Sequence, residues 1–130
     1  MLEFHIDSRS GVPTYLQLVQ QVEHALRLGF LAEGEQLPSV RGVVAALAIN
    51  PNTVLKAYRE LEHRGLVAAR AGQGMFVTAA PTGVSVREMA ALRREGRAWV
   101  RKVYAAGLGE DGVEALIALI TRDLRAEGAA

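Results

Sequence analysis

The chain has 130 residues, half of them hydrophobic, enough for one domain or a small domain with an appendage. No run approaches the ~18 consecutive apolar residues of a membrane span, and the absence of cysteine excludes disulfides, thiol catalysis and cysteine metal sites. The net charge is +1, and residues 1–80 carry seven Lys/Arg against seven Asp/Glu, so binding to a polyanion must come from the placement of charge rather than its sum.

The first residues, Met1 to Gly11, show no basic-then-apolar signal pattern, and a cytoplasmic location is expected. Phe4-His5-Ile6 reads as a short strand and Asp7 to Gly11 as a turn. Apolar residues at 15, 18, 19, 22, 25 and 26 then mark one face of a helix that starts at Pro13 or Thr14. Gly29 and Gly34 bracket its end and the following loop.

Pro38-Ser39 predicts an extended approach and an N-cap for a second helix, with Val40, Val43, Val44 and Leu47 facing inward. Ala48-Ile49 forms a turn, Asn50 caps the next helix, and Pro51 takes its favoured first position. Val54, Ala57, Tyr58 and Leu61 make the buried face of this third helix, which ends at Gly65. Leu66 to Arg70 and Gly74 to Val77 read as strands joined by the tip Gly72-Gln73-Gly74. Helix, turn, helix and hairpin follow in the order of a winged helix-turn-helix, a module that places one helix in a DNA major groove. The fold class expected is mainly α with a small β-wing.

Residues 79–83, with Pro81 and Gly83, read as a hinge, giving a winged domain over 1–79 and a helical dimerisation tail over 80–130. Met89, Leu92, Gly96, Trp99, Val103 and Ala106 alternate spacings of three and four, the seam of a coiled-coil-like helix. After Gly107-Leu108-Gly109, Val113, Leu116, Ile117, Ile120 and Leu124 form a second amphipathic helix. Residues 87–102 hold six basic and two acidic residues, and residues 110–127 five acidic and two basic. Opposite signs favour packing of one helix on the other, within a chain or across a dimer. Expected interface residues are Met89, Leu92, Trp99, Val103, Leu116 and Ile120. The alternatives are a tail folded back on its own winged domain, and a Trp99 that lines an effector cavity.

The segments Pro13-Thr14-Tyr15-Leu16-Gln17, Gly34 to Arg41, Asn50-Pro51-Asn52-Thr53-Val54, Ala57 to Glu62 and Gly72 to Val77 resemble the GntR family of bacterial transcription regulators, in the correct order over about half of the chain. Asn50 to Val54 and Ala57 to Glu62 look like the YtrA subfamily, which follows its DNA-binding domain with a short two-helix dimerisation tail. The resemblance implies a dimer bound to double-stranded DNA. Arg41 would reach the start of the site, and Asn52 and Thr53 would sit at the groove-facing end of the recognition helix, with Lys56 one turn on. Gly72, Gln73 and Gly74 would form the wing tip. Arg pairs bidentately with guanine and Asn with adenine. Ser39 and Tyr58 complete the expected DNA-facing set, Tyr58 through its hydroxyl. The chain departs from the family pattern at Ala48, where glycine is common, at the bulkier Val44, and at Ala71, Gln73 and Met75 of the wing.

Other readings compete. Arg41 can serve a surface ion pair, and Lys56 and Arg59 a solvated face beside Glu60 and Glu62. His5, His24 and His63 have no metal-ligand spacing, and no catalytic constellation or phosphate-binding loop is present, so neither cofactor nor enzymatic activity is expected. The function expected is a dimeric repressor acting on a pseudo-palindromic operator; the sequence identifies no small-molecule effector and leaves open whether there is one. The rival is a winged-helix interaction module without specific DNA binding.

Overall fold

A computed structural model describes residues 2–78 and 84–129. They form two compact units that divide between Ser85 and Val86; the expected hinge, 79–83, lies outside the described residues. The first unit contains α1 (Thr14–Arg27), α2 (Val40–Leu47), α3 (Pro51–His63), β1 (Val67–Arg70) and β2 (Gly74–Val77). The second contains α4 (Val86–Ala105) and α5 (Glu110–Ala129).

The apolar stripe of α1 places Leu18, Val19 and Val22 fully inside. Val54, Ala57, Tyr58 and Leu61 of α3 meet them in one core, joined by Val43 of α2, Leu31 and Leu37 of the connecting loop, and Val67 and Val77 of the hairpin. Each helix of the central motif is capped by the residue that its sequence suggests. The Ser39 hydroxyl accepts from the Gly42 amide at 3.0 Å, and the Asn50 side chain accepts from the Asn52 amide at 2.8 Å. Such caps satisfy amides that have no partner inside the helix.

The turn between α2 and α3 holds a left-handed residue, Ala48, at the position where the family resemblance leads to an expectation of glycine. Ala48 has φ 53° and ψ 44°, and its amide closes the helix on the Val44 carbonyl at 2.9 Å. The substitution therefore leaves the turn in place and puts its conformational cost on an alanine.

The hairpin is antiparallel, with Val67 opposite Val77, Ala68 opposite Phe76, Ala69 opposite Met75 and Arg70 opposite Gly74. Residues 34–37 run beside β2: the Leu37 amide donates to Met75, the Val77 amide to Glu35 and the Gly34 amide to Val77, each at 2.8 Å. Both edges of β2 are thereby occupied, which holds the wing against the body of the unit.

The strand expected at Phe4-His5-Ile6 does not form. Glutamines of α1 take the place of a neighbouring strand. Gln21 accepts from the His5 amide at 3.0 Å and donates to its carbonyl at 2.6 Å. Gln17, buried, accepts from the Asp7 amide and donates to the Asp7 and Val12 carbonyls. Side-chain amides carry the same donor and acceptor as a peptide unit, so the segment lies extended and satisfied without a sheet.

In the second unit, α4 and α5 are joined through Gly107, whose φ of 97° makes the reversal. Among the described residues of this unit only Val103 and Val113 are buried. No described helix is long and apolar enough to cross a membrane.

Candidate nucleic-acid interface

α3 carries its core residues on one side, which leaves Asn52, Lys56 and Arg59 exposed together on the other. Their spacing of four and then three residues puts them in one row. Thr53 is half-buried beside them, and its amide closes on the Asn50 carbonyl at 3.0 Å. Because Asn50 serves as the cap, the Asn52 side chain stands outside the capping pattern.

Arg41 is exposed in the first turn of α2, with no ion pair among the described residues. Ser39 is exposed too, but its oxygen already accepts from Gly42, so its first task is to build that helix start. At the wing tip, the Gln73 amide donates to the Arg70 carbonyl at 2.9 Å and makes the turn. Gly72 and Gly74 have φ of 71° and 112°, conformations that favour glycine. A Cβ on Gly74 would stand 2.8 Å from Gln36 Nε2.

Tyr58 is a core residue, as its place on the inner face of α3 implies, and the correction concerns its hydroxyl, which was expected at the DNA and is turned inward. It is 4% exposed, and its hydroxyl donates to the Pro38 carbonyl at 2.5 Å. Burial raises its pKa above the usual tyrosine value. The bond ties α3 to the start of α2, so Tyr58 sets the relation of the two helices and has no face left for a phosphate.

The nearby acids are partly engaged. Arg64 bonds Glu23 of α1 and Glu60 one turn back in α3. Hydrogen bonds to Glu23 and then to Glu60 hold its pKa above the ordinary value. Glu60, the acid beside Arg59 in sequence, therefore faces Arg64.

Four residues that the sequence did not single out belong to this surface. Gln36 donates to the Gln73 carbonyl at 2.6 Å and fixes the tip. Tyr15 lies under the Lys56 ammonium, 4.1 Å from ring centre to nitrogen, and Phe76 lies under the Arg70 guanidinium at 4.0 Å. These pairings join α1 to α3 and one strand to its neighbour. Local sequence does not show them; for Arg70 and Phe76, the hairpin register was the available signal.

The residues expected at a dimer interface divide in two. Leu92 and Ile120 are exposed, and Met89, Trp99 and Leu116 are half-buried. Val103 is corrected: at 6% exposure it is already buried in the single chain and has little surface left for a partner. Tyr104, Ile117, Leu119 and Leu124 are exposed and were not in that set.

Residues 14–77 match the family described as bacterial regulatory proteins, gntR family. The chain is 31% identical to the HTH-type transcriptional repressor YtrA of Bacillus subtilis, over 92% of this chain and 93% of that protein. A transcriptional antiterminator from Listeria monocytogenes has a similar structure, with a TM-score of 0.60 and 28% identity, covering 94% of this chain and 92% of that one. YtrA from Sulfolobus acidocaldarius, a GntR-family transcription factor, gives a TM-score of 0.55 and 29% identity, covering 75% and 97%.

Proposed function

Because this chain belongs to the GntR family of transcriptional regulators and carries its winged-helix DNA-binding domain, we propose that it is a repressor acting in the cytoplasm as a homodimer on a pseudo-palindromic operator. The observation that carries the reading is the exposed row Asn52, Lys56 and Arg59 on α3, opposite a closed core, together with an exposed Arg41 in the first turn of α2. α3 would enter the major groove, where Arg41 and Asn52 would read bases and Thr53 and Lys56 would hold phosphate. Gly72, Gln73 and Gly74 would bring the wing backbone close to the duplex. Similarity to a protein named a repressor supports that sign of regulation.

The dimer rests on the tail. Ile117, Ile120 and Leu124 lie on one arc of α5 and are 47%, 38% and 60% exposed. A second copy would cover the same arc on its partner, as a two-fold interface requires. Two-fold symmetry then predicts half-sites about one helical turn, or a multiple of it, apart.

The test is selection of duplexes from a random pool with the full-length chain, followed by anisotropy titrations of the enriched site at two salt concentrations. One inverted-repeat consensus is expected, with binding lost in Arg41→Ala/Asn52→Ala. Absence of any enriched sequence, with equal binding to all duplexes, would overturn the specific-regulator reading in favour of an interaction module.

A further inference from the structure

The winged unit has to hold a polyanion with little net charge, and two of its exposed cations are stacked on aromatic rings. Lys56 Nζ sits 4.1 Å from the centre of Tyr15, and the Arg70 guanidinium 4.0 Å from the centre of Phe76. Both lie well inside the range at which a ring quadrupole attracts a cation. We propose that Tyr15 and Phe76 are positioning residues that hold Lys56 and Arg70 ready for DNA phosphates, Lys56 on the recognition helix and Arg70 beside the tip of the wing. This rests on the DNA-binding reading above and extends it to a binding residue, Arg70, and to two rings.

The placement follows from the packing. Lys56 shares the exposed row of α3 with Asn52 and Arg59, and Tyr15 stands half-buried in the first turn of α1, which packs on α3. Arg70 lies opposite Gly74 in the hairpin. Glycine offers no side chain there, so the guanidinium leans along the same face onto the diagonal neighbour, Phe76. Both cations are exposed, and neither makes an ion pair among the described residues. Arg64 is the contrast: Glu23 and Glu60 hold it on the protein. A ring attracts a cation without neutralising it, so the charge stays available. It also limits the rotamers of a long side chain, which then has less freedom to lose on meeting a phosphate.

The test is a pair of double-mutant cycles on the enriched duplex, with wild-type binding measured first. If wild type binds no duplex, the DNA-binding reading itself fails. If it binds, Lys56→Met and Arg70→Gln should each lower the logarithmic salt slope by about 0.9. Tyr15→Leu should weaken binding roughly two- to fivefold, and Tyr15→Phe should not, because the ring remains. In a Lys56→Met background Tyr15→Leu should add nothing. Phe76→Leu and Phe76→Tyr should behave in the same way toward Arg70, with melting curves showing that each variant folds. In the free protein, ring-current shifts of the Lys56 side-chain protons should disappear in Tyr15→Leu. Equal losses in Tyr15→Leu with and without Lys56, or equal losses in Tyr15→Phe, would overturn the positioning role. Unchanged salt slopes in Lys56→Met and Arg70→Gln would overturn the phosphate contacts, while leaving wild-type binding as evidence for the broader reading.

Discussion

The winged unit and the helical tail deal with apolar surface in opposite ways. In the first, three helices and a hairpin close around Leu18, Val22, Val54 and Leu61, all with no exposure. In the second, Leu92, Tyr104, Ile117 and Leu124 stand 56%, 51%, 47% and 60% exposed. Hydrophobic stabilisation scales with the area removed from water, so the winged unit has its own core, while the tail is left with a surface that gains by association. Among their described residues α4 and α5 bury only Val103 and Val113, which leaves most of their apolar arcs open. The partner proposed here is a second tail.

The largest test of this contrast pairs a core truncation with a tail substitution. Leu61→Ala should cost ~2–5 kcal/mol of unfolding free energy, read by chemical denaturation, because the closed core cannot refill the space. Ile117→Glu/Leu124→Glu should convert dimer to monomer in sedimentation velocity, while the winged unit keeps its near-ultraviolet signature. A tail variant that stays dimeric would break the comparison by showing that the exposed arc is not the interface.

A smaller effect tests how the two helices of the motif are joined. Tyr58→Phe removes the hydroxyl that donates to Pro38. It should cost about 1–2 kcal/mol near neutral pH, since a part-buried carbonyl loses its partner. The folded state keeps this hydroxyl neutral, with its pKa raised by burial above the unfolded value of about 10. Its stabilisation is therefore complete below pH ~10 and declines as pH rises beyond that. Tyr58→Phe should accordingly lose less stability than wild type between pH ~10 and ~12, so alkaline denaturation curves of the two should converge.

A cap test comes next in size. Asn50→Ala should cost ~1 kcal/mol, because the Asn52 amide loses the side-chain acceptor that now closes the start of α3. If Asn50→Asp retains both stability and DNA binding while Asn50→Ala weakens both together, the asparagine acts as a cap alone.

Much of this molecule is readable from sequence because its signals are local. Ser39, Asn50 and Pro51 announce helix starts through side chains a few residues from the amides they serve, or through a fixed φ. The stripe on α1 and the glycines of the wing are equally local. What escaped depended on contacts far along the chain. Phe4 to Ile6 has a strand's alternation, but no strand pairs with it, and Gln21 decides the outcome from 16 residues away. Tyr58 falls on the inner face by periodicity, yet the destination of its hydroxyl, 20 residues back, is a tertiary fact. Gln36 reaches the wing tip across 37 residues. The exposed row of α3 was legible as a face, whereas the rings beneath Lys56 and Arg70 depend on how the elements meet.

The smallest predicted effect concerns the turn that the sequence marked as unusual. Ala48 is exposed, its φ is 53°, and among the described non-glycine residues it alone has positive φ. A left-handed conformation costs an L-residue roughly 1–2 kcal/mol relative to its preferred regions. Glycine would relieve that cost but give the unfolded chain more freedom to lose on folding. The difference should leave Ala48→Gly more stable by about 0.5–1 kcal/mol, seen as a small rise in the melting midpoint. The same cap bond, from residue 48 to Val44, serves either side chain, so the angle between α2 and α3 should not change, and neither should affinity for the enriched duplex. A gain in stability with altered DNA affinity would mean instead that the alanine holds the two helices in a strained relation that binding uses, and the closed winged unit would then be less rigid than its core implies.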